Sequence, residues 1–279
     1  KPGQTLTYAR GVATLCGTEF AEKDEAIANA RAADIVVAML GEDCAFMGEG
    51  ASRTELGLPG VQQQLLEELV ATGKPVVLVL ATGRPLVLTW ADAHVAAILQ
   101  TFHSGTEGRT AIAEVLTGEV TPSAKTPMSF PRHVGQIPVY YDHLPTGRPQ
   151  QIRQRYESIY MDVANEPLYP FGFGLSYTRF AFSDIEVLTP KVKPDGTLQA
   201  VVTVANIGGR EGQEVVQLYI RQPVASRSRP VRELKAFRKI ALKPGERQRV
   251  ALTVPARELG YHDDAGRYQL EPGKFMIYM

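Results

Sequence analysis

Cysteine is nearly absent from this 279-residue chain. Cys16 and Cys44 form no C-x-x-C motif and have no histidine-rich partner segment, which argues against a zinc site. Two readings of the pair stay open, one disulfide or two unlinked thiols. Net charge is also lacking. Thirty basic residues balance thirty acidic ones, and no basic run interleaves with aromatics. Bulk attraction to nucleic acid or to an anionic membrane is therefore not expected. Long apolar runs are missing too. Stretches such as "PVVLVLA" (75–81) are strand-sized, far short of the ~20 residues that cross a bilayer. No signal or anchor opens the chain. There is no G-x-S-x-G nucleophile elbow, and "GEG" is followed by neither G-x-G-x-x-G spacing nor a Lys-Ser/Thr ending. Serine-hydrolase chemistry and phosphate-loop nucleotide binding thus have little support. Nothing calls for a metal or another cofactor. Low-complexity segments and internal repeats of 20 to 50 residues are absent as well.

What is present falls into two halves with different periods. The first alternates helix-like and strand-like segments. "AEKDEAIANARAA" (21–33) has acids early and Arg31 late, and "GVQQQLLEELVATG" (60–73) is amphipathic with Gly73 as its expected C-cap. "EGRTAIAEVLTGE" (107–119) gives a third helix. Between them "DIVVAML", "KPVVLVLATGRPL" and "AAILQTF" read as buried strands. This pattern predicts an α/β domain with a largely parallel sheet covered on both faces, over about residues 1–133. From about Phe180 the segments become short strands separated by "KPDG", "IGGREG" and "KPGE" turns. They predict an antiparallel β-sandwich over 179–279. Residues 134–178, rich in Tyr, Pro and Gly, form a connector between the two. Its end, "PFGFGLSYT" (170–178), reads as a tight structural turn.

The chemistry-bearing candidate is Glu49 in "MGEGASR". It follows an apolar strand and lies between Gly48 and Gly50, which suits an acid presented on a bending loop. In open α/β sheets the loops at the C-terminal ends of strands are where ligands usually bind. The plain alternative is a surface glutamate. Arg53, four residues on, reads first as an anchor pairing with a neighbouring acid, with a substrate contact as the alternative. Glu42, Asp43 and Glu55 are competing acids on the same stretch. His103 in "TFHSGTEG" ends a strand, where a histidine is either a hydrogen-bonded loop residue or a contributor to the site.

Taken together, "GEGASRTELGLP", "GKPVVLVLATGRPL", "AILQTFHSGTEGRTAIAEVLTGEVTPSAKTPMSFP", "GQIPVYY" and "NEPLYPFGFGLSYTRF" resemble the C-terminal half of family three glycoside hydrolases. The likeness runs from about Tyr8 onward and is strongest to bacterial periplasmic β-glucosidases of that family. It implies an α/β sandwich followed by a fibronectin type III-like domain. In such enzymes a preceding (β/α)₈ barrel carries the nucleophilic Asp. On the G-E-G-x-D-R pattern, Glu49 matches the acid/base glutamate and Arg53 the arginine. Ser52 stands where many members have Asp, and His103 and Arg109 depart from the usual aromatic pair and double glycine. Ser183-Asp184 superficially resembles the nucleophile pair but belongs to the start of the sandwich.

The resemblance implies a retaining, exo-acting β-glucosidase without cofactor, located in the periplasm or secreted. Its substrate would be a β-glucoside or an oligosaccharide. Its partner would be the barrel domain of the same enzyme, and a homo-oligomer is admitted. The barrel, the strand that opens the second domain and the last strand of the sandwich are expected to lie outside this sequence. The chain alone is then expected to be inactive. The rival reading is a non-catalytic module that binds carbohydrate or protein, and the mass of the natural gene product separates the two.

Overall fold

The computed structural model describes residues 3–43, 47–150 and 156–279. They form two compact units. The first is built on strands β1 (Val36–Gly41), β2 (Val76–Ala81) and β3 (Ala97–Gln100) and on helices α1 (Lys23–Ala32), α2 (Gln62–Val70), α3 (Thr89–His94) and α4 (Gly108–Thr117). The strands pair in the order β1-β2-β3, all parallel, with Val36 opposite Val76 and Val77 opposite Ala97. β-Branched and Leu-rich runs suit such a sheet, whose central strand has no wet face. In β2 Val76, Leu78, Val79 and Leu80 are all buried. Ala30 of α1 and Leu65, Leu66 and Leu69 of α2 join Ala38, Leu40, Leu78 and Leu80 in one core.

The opposite face of β1 is open. Val37 is 48% exposed and Met39 58%, so the expectation of a sheet covered on both faces fails at this strand. The strand expected over 74–86 is also shorter, ending at Ala81. Thr82 Oγ1 donates to the Arg84 carbonyl across a turn, 2.8 Å, and Pro85 has no N–H with which to extend a ladder.

The second unit is the antiparallel sandwich that the sequence pattern predicts. β4 (Phe180–Val187), β5 (Thr197–Asn206) and β8 (Arg247–Pro255) form one sheet in the order β4-β5-β8. β6 (Gly212–Arg221), β7 (Glu233–Leu242) and β11 (Met276–Tyr278) form the other, ordered β11-β6-β7. Alternate residues of β6, Val216, Leu218 and Ile220, point into a core shared with Val202, Val204, Val250 and Val254. Ser183 and Asp184 lie within β4, where Asp184 takes φ 53° at a register shift. A small hairpin, β9 (Tyr261–His262) with β10 (Tyr268–Gln269), completes the unit.

The intervening segments divide between the units. Ser129–Val139 and Met161–Tyr169 belong to the first, and Thr121–Met128 and Tyr140–Tyr160 to the second. Phe130 is buried in the first core and meets Tyr169 edge to face. Among the described residues no helix is long and apolar enough to cross a membrane.

Candidate active site

The loops after β1, β2 and β3 leave the same edge of the parallel sheet, because parallel strands end together. The first begins at Gly41, which pairs with Ala81 of β2. A Cβ on Gly41 would stand 2.0 Å from the Ala81 carbonyl oxygen, so only glycine fits. The Gln62 side chain, from the start of α2, brackets Gly41, accepting from its N–H and donating to its carbonyl, each at 2.7 Å.

Glu42 follows at once and is 2% exposed. Its Oε1 accepts from Arg53 Nη1 at 2.6 Å and lies 3.4 Å from Arg84 Nε. Its Oε2 accepts from the Gly83 amide at 3.1 Å. A carboxylate taken out of water survives as an ion only with such partners. Arg53 Nη2 also donates to the Gly57 carbonyl at 3.0 Å, and Arg84 Nη2 to the Ala51 carbonyl at 3.2 Å. Next in the chain, Asp43 accepts from the Cys16 thiol at 3.2 Å. Burial pushes that thiol's pKa up, keeping it a weak nucleophile. Cys16 is a free thiol, and Cys44 lies outside the described residues.

Glu49 lies further along the same loop and is exposed. Gly48 and Gly50 have φ 121° and 76° with open space where a Cβ would go. Conformation, rather than room, requires glycine at these two positions. The bend is closed by Ala51 N–H to the Gly48 carbonyl and Ser52 N–H to the Gly50 carbonyl, 3.1 and 3.2 Å. Glu55 is exposed as well, so exposure alone does not single out Glu49. The settings of the acids differ in that Glu49 lies at the glycine-flanked bend, whereas Glu42 is buried and ion-paired.

His103 follows β3 and is exposed, and its ring contacts the Met47 thioether, two residues before Glu49. The chain reaches it through Phe102, whose φ of 50° is unusual for a bulky residue. Thr101 Oγ1, bonded to the Leu80 carbonyl at 2.9 Å, fixes the preceding step. The structure thus gathers Glu49, Arg53 and His103 at one sheet edge. Arg109 is exposed on the first turn of α4.

Residues 4–177 match the family described as Glycosyl hydrolase family 3 C-terminal domain. The chain belongs to glycosyl hydrolase family 3. Residues 214–279 match a Fibronectin type III-like domain. A periplasmic beta-glucosidase of Salmonella typhimurium is 50% identical over 258 residues, 92% of this chain and 34% of that protein. A beta-xylosidase of Formosa agariphila is 38% identical over 98% of this chain and 37% of that protein. The crystal structure of a beta-glucosidase from Listeria innocua in complex with glucose superposes with TM-score 0.88 at 39% identity, covering 93% of this chain and 37% of that one. The chain therefore spans about a third of the length of the relatives it matches.

Within this family-three domain, sequence reasoning named Glu42 only as a competing acid, expected Arg53 to pair with a neighbouring acid without saying which, and missed Arg84. Glu42 and Arg84 both follow the end of an apolar strand, "GE" after β1 and "TGR" after β2, and charges so placed at neighbouring parallel strand ends are candidates to meet.

Proposed function

We propose that this chain supplies the general acid/base of a retaining, exo-acting β-glucosidase, with Glu49 as the proton donor and acceptor. The observation that carries the reading is the presentation of Glu49, an exposed carboxylate at a glycine-flanked bend whose base is tied to a buried ion pair. A β-glucosidase named periplasmic and a β-glucosidase crystallised with glucose, both similar over nine-tenths of this chain, support the substrate class and a periplasmic or secreted location.

A retaining glycosidase needs two carboxylates ~5 to 5.5 Å apart. We assign the nucleophile to a barrel domain, following the family resemblance. As that carboxylate attacks the anomeric carbon, the bond to the leaving oxygen breaks and Glu49 donates its proton to that oxygen. Glu49, now ionised, then takes a proton from water. The resulting hydroxide-like oxygen displaces the enzyme carboxylate, and β-glucose leaves. His103, which follows β3 and touches Met47 of the Glu49 loop, is proposed to border the site, and Arg53 to brace it.

The test is the natural gene product containing this chain, assayed with aryl β-glucosides of graded leaving group. Glu49→Gln should slow unactivated glucosides ~10² to 10⁴-fold, the usual contribution of general acid catalysis. A dinitrophenyl glucoside, which needs no protonation to depart, should keep a fast first step. A loss below about tenfold on unactivated glucosides would refute the assignment.

A further inference from the structure

We infer that Glu42 is the positioning residue of the acid/base loop, holding Glu49 in place through Arg53 and Arg84. The inference rests on the reading of Glu49 proposed above. Glu42 itself is sealed from solvent, so it acts on the chemistry only through what it grips.

That grip is distributed over the loop. Glu42 is the first residue after β1, Arg53 lies beyond the Glu49 bend, and Arg84 comes from the turn after β2. Both guanidinium groups converge on Oε1 of Glu42, while Gly83 N–H caps Oε2. Each arginine extends a second arm to loop backbone, Arg84 to the Ala51 carbonyl and Arg53 to the Gly57 carbonyl. One carboxylate thereby fixes the loop at its start, just past Glu49 and near its end, and fastens it to the neighbouring strand. Planar guanidinium forks hold two partners in fixed geometry, which a lysine ammonium does not.

The need for such a clamp follows from Gly48 and Gly50. They permit the bend but leave the backbone free to take other conformations. An acid must be held within ~0.5 Å of its productive position, and a 1 Å error can cost ~10²-fold. Glutamine at 42 keeps the shape of glutamate, so no cavity forms. It removes the charge that both arginines seek and sets an amide N–H₂ against either the guanidinium groups or the Gly83 N–H, donors that need an acceptor. The loop should loosen while the core stays filled.

The experiment uses the natural gene product containing this chain. Glu42→Gln should lower kcat/KM on unactivated aryl β-glucosides by ~10 to 10²-fold and leave the dinitrophenyl glucoside within a few-fold of the parent. Added to Glu49→Gln, it should cost nothing further on the unactivated substrates, because the group it positions is already gone. A merely structural role would lower all substrates alike and add its full loss to Glu49→Gln, and that result would overturn the inference. Should Glu49→Gln alone show no leaving-group dependence, the reading of Glu49 falls and this inference with it. Should Glu49→Gln show it and Glu42→Gln not, the inference alone falls. Where Glu42→Gln does not fold, Arg84→Lys serves. It keeps the charge but cannot serve Glu42 and Ala51 together, so the same selective loss is expected, and its absence is contrary.

Discussion

Asn206, 1% exposed at the end of β5, bonds with every arm. Its Nδ2 donates to the Arg210 and Leu242 carbonyls at 2.7 and 2.9 Å, and its Oδ1 accepts from Thr178 Oγ1 and Gly208 N–H at 2.7 and 3.1 Å. Asn206→Ala strands the Thr178 hydroxyl and the Leu242 carbonyl in the interior, each costing ~1 to 3 kcal/mol when unpaired. We expect a lower urea midpoint at unchanged m, and an unaltered midpoint would refute the network's role. Asp263 gives a pH-dependent case. The Arg267 backbone N–H, followed by other donors of the hairpin, holds its carboxyl below the usual range. The unfolded chain then binds the proton more readily, so the stability Asp263 contributes is complete above its ordinary pKa of ~3.9. It is lost as pH falls through the lower native value. The Tm gap between parent and Asp263→Ala should be constant from neutral pH to about 5 and should shrink below about 4. A gap that persists undiminished at pH 3 would contradict the assignment. Single residues were unevenly legible. Glu49 stood out through its flanking glycines, whereas the partners of Glu42 come from two loops, and sequence spacing does not show which loops meet.

At the scale of elements, periodicity located the long helices and strands because their patterns persist for several turns or pleats. It missed α3, six residues long, where fewer than two turns leave no 3.6-residue pattern to read. The two-residue strands β9 and β10 were invisible for the same reason. Strand ends were overrun where apolar residues resume just past a turn, as Pro85-Leu86 do after Thr82-Gly83-Arg84. The open face of β1 could not be read from composition, since a half-covered strand and a fully covered one can both be apolar. The close contact of β1 and β2 yields a prediction at this scale. Gly41→Ala would drive a methyl into the Ala81 carbonyl, backbone that cannot step aside. We expect a loss at the upper end of the ~1 to 3 kcal/mol typical of overpacking, read by thermal or urea unfolding. A variant as stable as the parent would show that the two strands separate easily.

For the molecule as a whole, the outer edge of β1 pairs with no strand among the described residues, and Ile35, Val37 and Met39 are exposed there. Such edges recruit other chains. The isolated 279-residue polypeptide should therefore self-associate in sedimentation at micromolar concentration, and a strictly monomeric species would count against this. On the proposed mechanism it should also leave aryl β-glucosides unhydrolysed, because an acid without a nucleophile cannot form the glycosyl-enzyme. The most direct test of the central claim is azide rescue of Glu49→Ala in the natural gene product, with dinitrophenyl β-glucoside as substrate. The first step needs little protonation, so turnover should stall at the glycosyl-enzyme, where no base remains to activate water. Azide attacks without a base. The account predicts restored turnover and β-glucosyl azide as product for Glu49→Ala, and no such rescue for Asp43→Ala or Glu55→Ala. Rescue of either of those two instead, or a Glu49→Ala enzyme that needs none, would contradict it.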